Sequence, residues 1–234
     1  MKFNLKPFLL LNIFALILFI SYFNGVWQNI DLYVFNLLNQ ALGIEPNWYN
    51  KFWALMSVRS ADLVPLLLIL LMFLLWKKEF RAKAIISFVS LLVLMLFVRE
   101  FLDLYLEIAH LDSKSPTLII SESIRLSSIY NFELKDSSAT SFPGDHAAVL
   151  FVWFGYFLFA KINRQIILAV VITILFSLPR LIAGAHWLSD ILVGGLGIAL
   201  ITLAFGLYTP ILNKLNIILN RLTPNFIKRF IEYI

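Results

Sequence analysis

The segment Leu188–Tyr208 reads LSDILVGGLGIALITLAFGLY, and Asp190 is the only charged residue in it. Crossing the hydrocarbon core of a bilayer, about 30 Å thick, takes about 20 mostly apolar residues in one helix. This segment has that length and that composition, so we predict that it is a transmembrane helix. Its carboxylate lies near one end of the helix, where the membrane core gives way to the headgroups.

The whole chain has the composition of an integral membrane protein. Of its 234 residues 61% are hydrophobic and 14% are charged, and the mean hydropathy is +0.87. Soluble domains are about one-quarter charged, so this composition excludes an ordinary globular enzyme and a disordered protein. The chain contains no cysteine, which excludes disulfides, thiolate metal sites and a cysteine nucleophile.

Five further apolar segments complete a prediction of six transmembrane helices in an all-α integral membrane bundle. These segments are Pro7–Phe23, Leu55–Trp76, Ala84–Tyr105, His146–Ile162 and Gln165–Ile182. Residues 1–234 are expected to form one membrane domain, with a motif-bearing core over about residues 52–209 and an interfacial tail over 210–234. Asp31–Leu42 is predicted to be a helix along the outer interface, with Asn39 on its polar side.

The basic residues predict the orientation of these helices. Twelve of the 19 lysines and arginines fall at the N-terminus, in the short loops 77–83 and 161–164, and in the tail, together with only two acidic residues. The opposite side of the membrane receives seven basic and twelve acidic residues. Because cytoplasmic loops carry an excess of Lys and Arg, we predict that both termini are cytoplasmic.

Four polar residues fall at the outer membrane edge, at three predicted helix ends. His146 opens the fourth helix, and Arg180 closes the fifth. His186 and Asp190 open the sixth helix four residues apart, so the carboxylate can reach the imidazole and orient it. The small residues at 183–185 permit the turn that brings Arg180 to the same place.

This set of side chains suits phosphoryl transfer without a metal or another cofactor. His186 is the candidate nucleophile, which forms a phosphohistidine, and His146 is the candidate general acid and base. Arg180, a nearby lysine and the N-termini of two helices would stabilise negative charge on phosphate oxygens. A single interfacial histidine or arginine is usually a hydrated anchor, whereas the convergence of the whole set favours catalysis.

Other charged residues have competing structural interpretations. Asp145 belongs to the phosphate site or, as the favoured alternative, caps the start of the fourth helix. Two groups have the spacing for ion pairs within a helix, and a structural role is favoured for both: Arg59 with Asp62, and Arg99 with Glu100 and Asp103.

The motifs Pro143-Gly144-Asp145-His146 and Arg180-x5-His186-x3-Asp190 resemble those of the type 2 phosphatidic acid phosphatase superfamily. Gly144 and Asp145 stand where the superfamily usually has Ser and Gly, and Ser115-Pro116 stands where Arg-Pro is usual. The resemblance implies a six-helix membrane fold and a metal-independent phosphohistidine mechanism. It gives the two histidines and Asp190 the catalytic roles assigned above.

Where the sequence departs from that pattern, it resembles a narrower group, the lipid A 1-diphosphate synthases. Four segments carry this resemblance: Lys114–Leu118, Lys135–Ser137, Ser141–His146 and Phe176–Gly194. It implies transfer of the terminal phosphate of undecaprenyl diphosphate to the 1-phosphate of lipid A, at a periplasmic site in a bacterial inner membrane. The implied partners are these lipids and membrane lipids, not nucleic acid. The implied phosphate-binding residues are Arg180, Lys114, Gly144 and Asp145.

Two other functions remain open. Water in place of a lipid acceptor would make the protein a phosphatase acting on undecaprenyl diphosphate or another lipid. The difference between the two reactions lies in an acceptor pocket, which we expect within Leu106–Asp145. A transporter or lipid-binding protein is disfavoured, because the reactive groups lie at one membrane edge rather than at the bilayer midplane.

Overall fold

The computed structural model describes residues 3–111, 113–161 and 163–225, and the regular elements of this part of the chain are all helices. A 3₁₀ turn over Arg59–Asp62 precedes the fourth α-helix, and a π-helical stretch over Asp190–Gly195 precedes the tenth. The α-helices in chain order are α1 (Leu5–Phe23), α2 (Gln28–Asn39), α3 (Trp48–Met56), α4 (Leu63–Leu74), α5 (Lys78–Ile108), α6 (Pro116–Ile119), α7 (Leu126–Ile129), α8 (Asp145–Ala160), α9 (Asn163–Ile182), α10 (Leu196–Tyr208) and α11 (Ile211–Leu222).

Four helical stretches are long and apolar enough to cross a membrane, and a bent pair makes a fifth candidate. The bent pair joins α3 to the stretch 59–74. The four are Leu5–Phe23, Lys78–Ile108, Gln165–Ile182 and Asp190–Tyr208. At 16 residues α8 is apolar but short of the about 20 residues that a full crossing takes. The chain is therefore a helical membrane protein, whereas the sixth span and the orientation of the termini stay predictions.

The second predicted helix, Leu55–Trp76, is not one continuous helix. It breaks at Ser57, and its two parts meet at an angle of 62°. The backbone carbonyl of Ser57 accepts hydrogen bonds from the backbone N–H of Lys135 and from the guanidinium of Arg180, each at 3.0 Å. These partners come from distant parts of the chain, which is why the hydropathy pattern alone wrongly predicted an unbroken span.

The centre of the bundle is the last candidate span. Of its most apolar window 72% is buried inside the protein, against 6% for α1. Trp153 and Phe157 of α8 are fully buried in the same apolar cluster as Ile198 of α10. The helix ends that carry the polar motifs are thus attached to the most deeply buried of the candidate spans.

Two glycines allow the motif-bearing segments to approach each other. A Cβ atom at Gly194 would lie 2.8 Å from the Cα of Pro143, so a larger residue there would push α8 away. Gly184 has a φ of +76°, which glycine adopts without strain, and it lies in the turn after α9. These observations agree with the predicted turn at 183–185 and with close packing along the last span.

Helix α2 packs onto this turn region instead of lying on the outer surface alone. Its buried residues are Asp31, Phe35 and Asn39. The carboxylate of Asp31 accepts hydrogen bonds from the backbone N–H and the hydroxyl of Ser189 at 2.8 and 2.6 Å. The placement of Asn39 on a polar side was wrong, because the backbone N–H and carbonyl of Ile124 satisfy its buried amide.

The predicted cytoplasmic tail begins as a helix. α11 covers Ile211–Leu222, and Asn216 in it binds Ser87 and Ser90 of α5. Residues 226–234 of the predicted tail lie outside the described residues.

Candidate active site

His186 lies in the turn that follows α9, and two oxygen atoms approach one of its nitrogens. Nδ1 is 2.8 Å from the carbonyl oxygen of Ser141 and 3.3 Å from Oδ2 of Asp190. Because a carbonyl oxygen can only accept, we assign the hydrogen to Nδ1 and the lone pair to Nε2. Nε2 is buried without a hydrogen-bond partner in the described part of the chain. It is therefore available as a nucleophile.

The Ser141 carbonyl is an orienting group that the sequence motifs did not reveal. Asp190 was predicted to hold the second nitrogen of His186, yet its contact is the longer of the two. Its Oδ2 also accepts the backbone N–H of Trp187 at 2.8 Å, which fixes the carboxylate at the start of the helix. Every residue has a carbonyl, so no residue type signals this contact in advance.

Arg180 and His146 meet at the carboxylate of Asp62. Nη2 of Arg180 lies 2.8 Å from both oxygens of Asp62, and Nε2 of His146 lies 2.9 Å from one of them. The expected pairing of Asp62 with Arg59 was wrong, because Arg59 instead faces Glu133 at 3.5 Å in an exposed ion pair. The available signal was an acidic residue inside an apolar segment, where an unpaired carboxylate is costly.

A small cavity joins the side chains that the two motifs supply. Nδ1 of His146, like Nε2 of His186, is buried and without a hydrogen-bond partner among the residues described. Although the two histidines and Arg180 come from three separate helix ends, they line one space. The lining consists of Gly144, His146, Ala147, Phe176, Ser177, Arg180, His186 and Ile191.

His186 also lines a larger cavity of about 290 Å³, whose walls carry charges of both signs. Lys135 contributes an ammonium group to this cavity. Burial lowers the pKa of the Lys135 ammonium below its ordinary value of 10.5, and the positive charge of Arg180 lowers that pKa further. The other charged lining residues are Arg99, Asp103, Glu107 and Asp145.

Lys114, the predicted phosphate binder, lines a different cavity of about 720 Å³. Trp187 and Ser189, which follow His186 in the chain, line this cavity as well. The indole N–H of Trp187 donates to the backbone carbonyl of Lys114 at 2.8 Å, so the two segments are joined. The two cavities thus adjoin the same turn, each with its own lysine.

Gly144 and Asp145 begin α8 beside the last candidate span. The backbone N–H of Gly144 donates to the carbonyl of Asp190 at 2.9 Å. Asp145 was expected to cap α8, which is wrong: Gly144 is the cap residue, and the carboxylate of Asp145 binds Arg99 at 2.8 Å instead. Arg99 also forms the ion pairs within α5 that its spacing predicted, with Glu100 and Asp103.

The arrangement supplies the groups that phosphoryl transfer uses. An imidazole with a free nitrogen, a second imidazole and a guanidinium surround one space, at the N-terminus of α8. Such groups attack phosphorus, move a proton and stabilise charge on the phosphoryl oxygens. In the ranges 3–111, 113–161 and 163–225, no cluster of three or more His, Asp or Glu side chains is placed to hold a metal ion.

One protein family and one curated relative match this chain. Residues 114–213 match the PAP2 superfamily. The chain is 34% identical over 238 residues to Lipid A 1-diphosphate synthase of Escherichia coli (strain K12), with 97% of this chain and 98% of that protein covered. No solved structure matches the chain. The similarity extends over nearly the full length of both chains and includes both histidine motifs, so this protein is a lipid phosphatase or phosphotransferase that belongs to the PAP2 superfamily.

Proposed function

We propose that the protein transfers the terminal phosphate of undecaprenyl diphosphate to the 1-phosphate of lipid A. The observation that carries the proposal is the free Nε2 of His186, which lines one small cavity with His146 and Arg180. The choice of acceptor is supported by the relative from Escherichia coli, whose name describes the synthesis of lipid A 1-diphosphate.

In the first step Nε2 of His186 attacks the terminal phosphorus of the donor. The nitrogen–phosphorus bond forms while the bond from phosphorus to the bridging oxygen breaks, and undecaprenyl phosphate leaves. His146 gives a proton to the leaving oxygen, and Arg180 and the N-terminus of α8 stabilise charge on the phosphoryl oxygens. Asp190 and the Ser141 carbonyl keep the imidazole of His186 in the reactive tautomer.

In the second step an oxygen of the lipid A 1-phosphate attacks the phosphorus of the phosphohistidine. The new phosphorus–oxygen bond forms as the nitrogen–phosphorus bond breaks, which returns the lone pair to His186. An acceptor phosphate is already an anion and needs no base, so solvent returns the proton to His146. Lys114 is proposed to bind this acceptor phosphate in the cavity of about 720 Å³.

We propose a single domain with six spans, in which the short helix α8 is the fourth span along the chain, with both termini in the cytoplasm and the site on the periplasmic side of the inner membrane. The distribution of basic residues supports this orientation. The backbone N–H of Asn4 donates to the carbonyl of Tyr208 at 3.0 Å, so the start of α1 lies beside the end of α10. Asn4 and Tyr208 then lie on the same side of the membrane, and this agrees with an even number of spans between them.

The test uses undecaprenyl diphosphate with ³²P in its terminal phosphate and measures where this label goes. Purified protein is incubated with this donor in the presence and the absence of lipid A, and the label is located in lipid A, in protein and in free phosphate. We expect label on lipid A with the wild type and none with His186→Ala. Glu133→Gln, which changes an exposed side chain of an outer loop, is the matched control and should transfer label like the wild type.

The distribution of label distinguishes the possible outcomes. Free phosphate formed equally with and without lipid A would identify a phosphatase and overturn the proposed acceptor. Transfer that persists in His186→Ala would overturn the phosphohistidine.

A further inference from the structure

Asp62 touches two of the predicted site residues, although neither sequence motif contains it. Its Oδ2 lies 2.9 Å from Nε2 of His146, and both of its oxygens lie 2.8 Å from Nη2 of Arg180. The Arg180 side chain is 4% exposed, so this carboxylate neutralises a cation that is nearly removed from solvent. A pairing of this kind holds all three side chains in a defined geometry.

The break in the second apolar segment is what delivers Asp62 to the site. Asp62 ends the 3₁₀ turn between α3 and α4, at the 62° bend. Within a membrane, non-helical backbone requires partners in the protein, and here Arg180 and Lys135 bind the carbonyl of Ser57 at that break. The hydroxyl of Ser57 also donates to the carbonyl of Pro179 at 3.2 Å, next to Arg180. Arg180 thus stabilises the bend, and the bend places Asp62 beside Arg180 and His146.

The contact with Asp62 assigns the two nitrogens of His146. A carboxylate oxygen accepts, so Nε2 carries the hydrogen, and Nδ1 is left to exchange a proton with a bound ligand. Nδ1 is buried and without a hydrogen-bond partner in the described ranges, and His146 lines the same cavity as His186. The contact with Asp62 thus fixes the ring by one nitrogen and leaves the other for the ligand.

We infer that Asp62 is a positioning residue for proton transfer, which acts through His146. It fixes the imidazole so that Nδ1 faces the leaving oxygen, and Arg180 holds the carboxylate in place by binding both of its oxygens. The site thus contains two acid–imidazole pairs with opposite nitrogens engaged: Asp190 and the Ser141 carbonyl at Nδ1 of His186, and Asp62 at Nε2 of His146. This inference rests on the proposed function only in that His146 gives its proton to the leaving group.

A double-mutant cycle tests whether Asp62 acts through His146. The release of labelled terminal phosphate from undecaprenyl diphosphate to any acceptor is measured as kcat and KM. The proteins are the wild type, Asp62→Asn, His146→Gln, the double variant, His186→Ala and Glu133→Gln. Glu133→Gln changes the exposed partner of Arg59, which belongs to the same 3₁₀ turn as Asp62.

We expect kcat to fall about 100-fold in His146→Gln and at least about tenfold in Asp62→Asn, since a general acid contributes about 10²- to 10⁴-fold. The KM for the donor should change less than about threefold, and the double variant should match His146→Gln within about threefold. Asp62→Glu keeps the charge but displaces it by one methylene. If Asp62→Asn does not fold, a kcat loss with unchanged KM in Asp62→Glu supports the inference in its place.

Multiplicative losses in the double variant would overturn the inference, because they would show that Asp62 acts independently of His146. So would a loss in Asp62→Asn that appears only in KM. Failure of the proposed function has a different signature. In that case His186→Ala and His146→Gln would release label as fast as the wild type, whatever Asp62→Asn does.

Discussion

Two imidazoles of this protein are each held through one nitrogen by an oxygen atom of another segment. Nδ1 of His186 meets the carbonyl of Ser141, and Nε2 of His146 meets the carboxylate of Asp62. In both rings the second nitrogen is buried and unpartnered within the described residues. A buried nitrogen of this kind loses hydrogen bonds to water without regaining them in the protein, so a ligand that binds it restores the lost interaction.

Lys135 provides a prediction at the scale of single residues. Lys135 lines the cavity of about 290 Å³ that also contains His186, and we expect its ammonium to bind the donor phosphate there. In Lys135→Met the KM for undecaprenyl diphosphate should therefore rise about tenfold, because a hydrogen bond to a charged group contributes about 1.5 kcal/mol or more. The pKa of Lys135 is lowered, so in the wild type the ammonium is lost, and the KM rises, at a lower pH than an exposed lysine would give. Lys135→Met should show a high KM without this alkaline rise, as measured by initial rates across pH.

Two variants serve as controls for Lys135. Lys114→Met should raise the KM for lipid A and leave the KM for the donor unchanged, since Lys114 lines the other cavity. Lys51→Met, at an exposed position of α3, should change neither. A donor KM that is unaffected in Lys135→Met would show that this lysine does not bind the donor phosphate.

The lowered pKa of Lys135 also affects the free energy of unfolding. Between that lowered pKa and 10.5, the unfolded chain binds more protons at Lys135 than the folded protein does. The contribution of Lys135 to stability therefore increases as the pH rises through that range.

At the scale of elements, the contact between the start of α8 and the helix that begins near Asp190 aligns the two histidine motifs. The N–H of Gly144 donates to the carbonyl of Asp190, and a Cβ atom on Gly144 would lie 2.9 Å from that same oxygen. The atoms in the way belong to the backbone of Asp190 and Ile191, so they cannot yield without moving Asp190, whose carboxylate contacts His186. In this structure the close approach leaves no room for the serine that the superfamily resemblance gives at position 144.

Gly144→Ala should therefore lower kcat/KM at least about fivefold, because forcing extra atoms into a packed contact costs about 1–3 kcal/mol. The φ of Gly144 is −78°, so the effect comes from the close approach and not from backbone strain. Gly155→Ala on the same helix is the control, since its Cβ would meet the buried side chain of Leu203 and no backbone of the motif-bearing segments. Its transfer activity should stay within about threefold of the wild type, and equal activities of the two variants would contradict the close-approach explanation.

At the scale of the whole molecule, the arrangement of the spans is open to direct labelling because the chain has no cysteine. Single cysteines replace Asn4, Glu133 and Lys214, all of which are exposed. A membrane-impermeant maleimide should label Glu133→Cys in cells with a permeabilised outer membrane and an intact inner membrane. Asn4→Cys and Lys214→Cys should react only after the inner membrane is opened. Labelling of Asn4→Cys and Lys214→Cys under different conditions would exclude an even number of spans.

The hydropathy pattern predicted most of the bundle but not its interruptions. A helix long enough to cross a bilayer satisfies its own backbone, so Gln165–Ile182 and Leu188–Tyr208 could be recognised from composition alone. The break at Ser57 and the buried face of α2 could not be recognised in this way. Both depend on hydrogen bonds to Arg180, Ser189 and Ile124, which are distant in sequence.

The motifs likewise predicted which reactive side chains lie together, and His146, Arg180 and His186 do line one cavity. Residue type and helical spacing were enough to single out His146, Arg180, His186 and Asp190, because four such residues at neighbouring predicted helix ends are unusual for hydrated anchors. Only the tertiary structure decided what orients them, namely the Ser141 carbonyl at one histidine and Asp62 at the other. The reason is physical: a backbone carbonyl has no residue signature, and a carboxylate in an apolar segment shows that it needs a partner without showing which one.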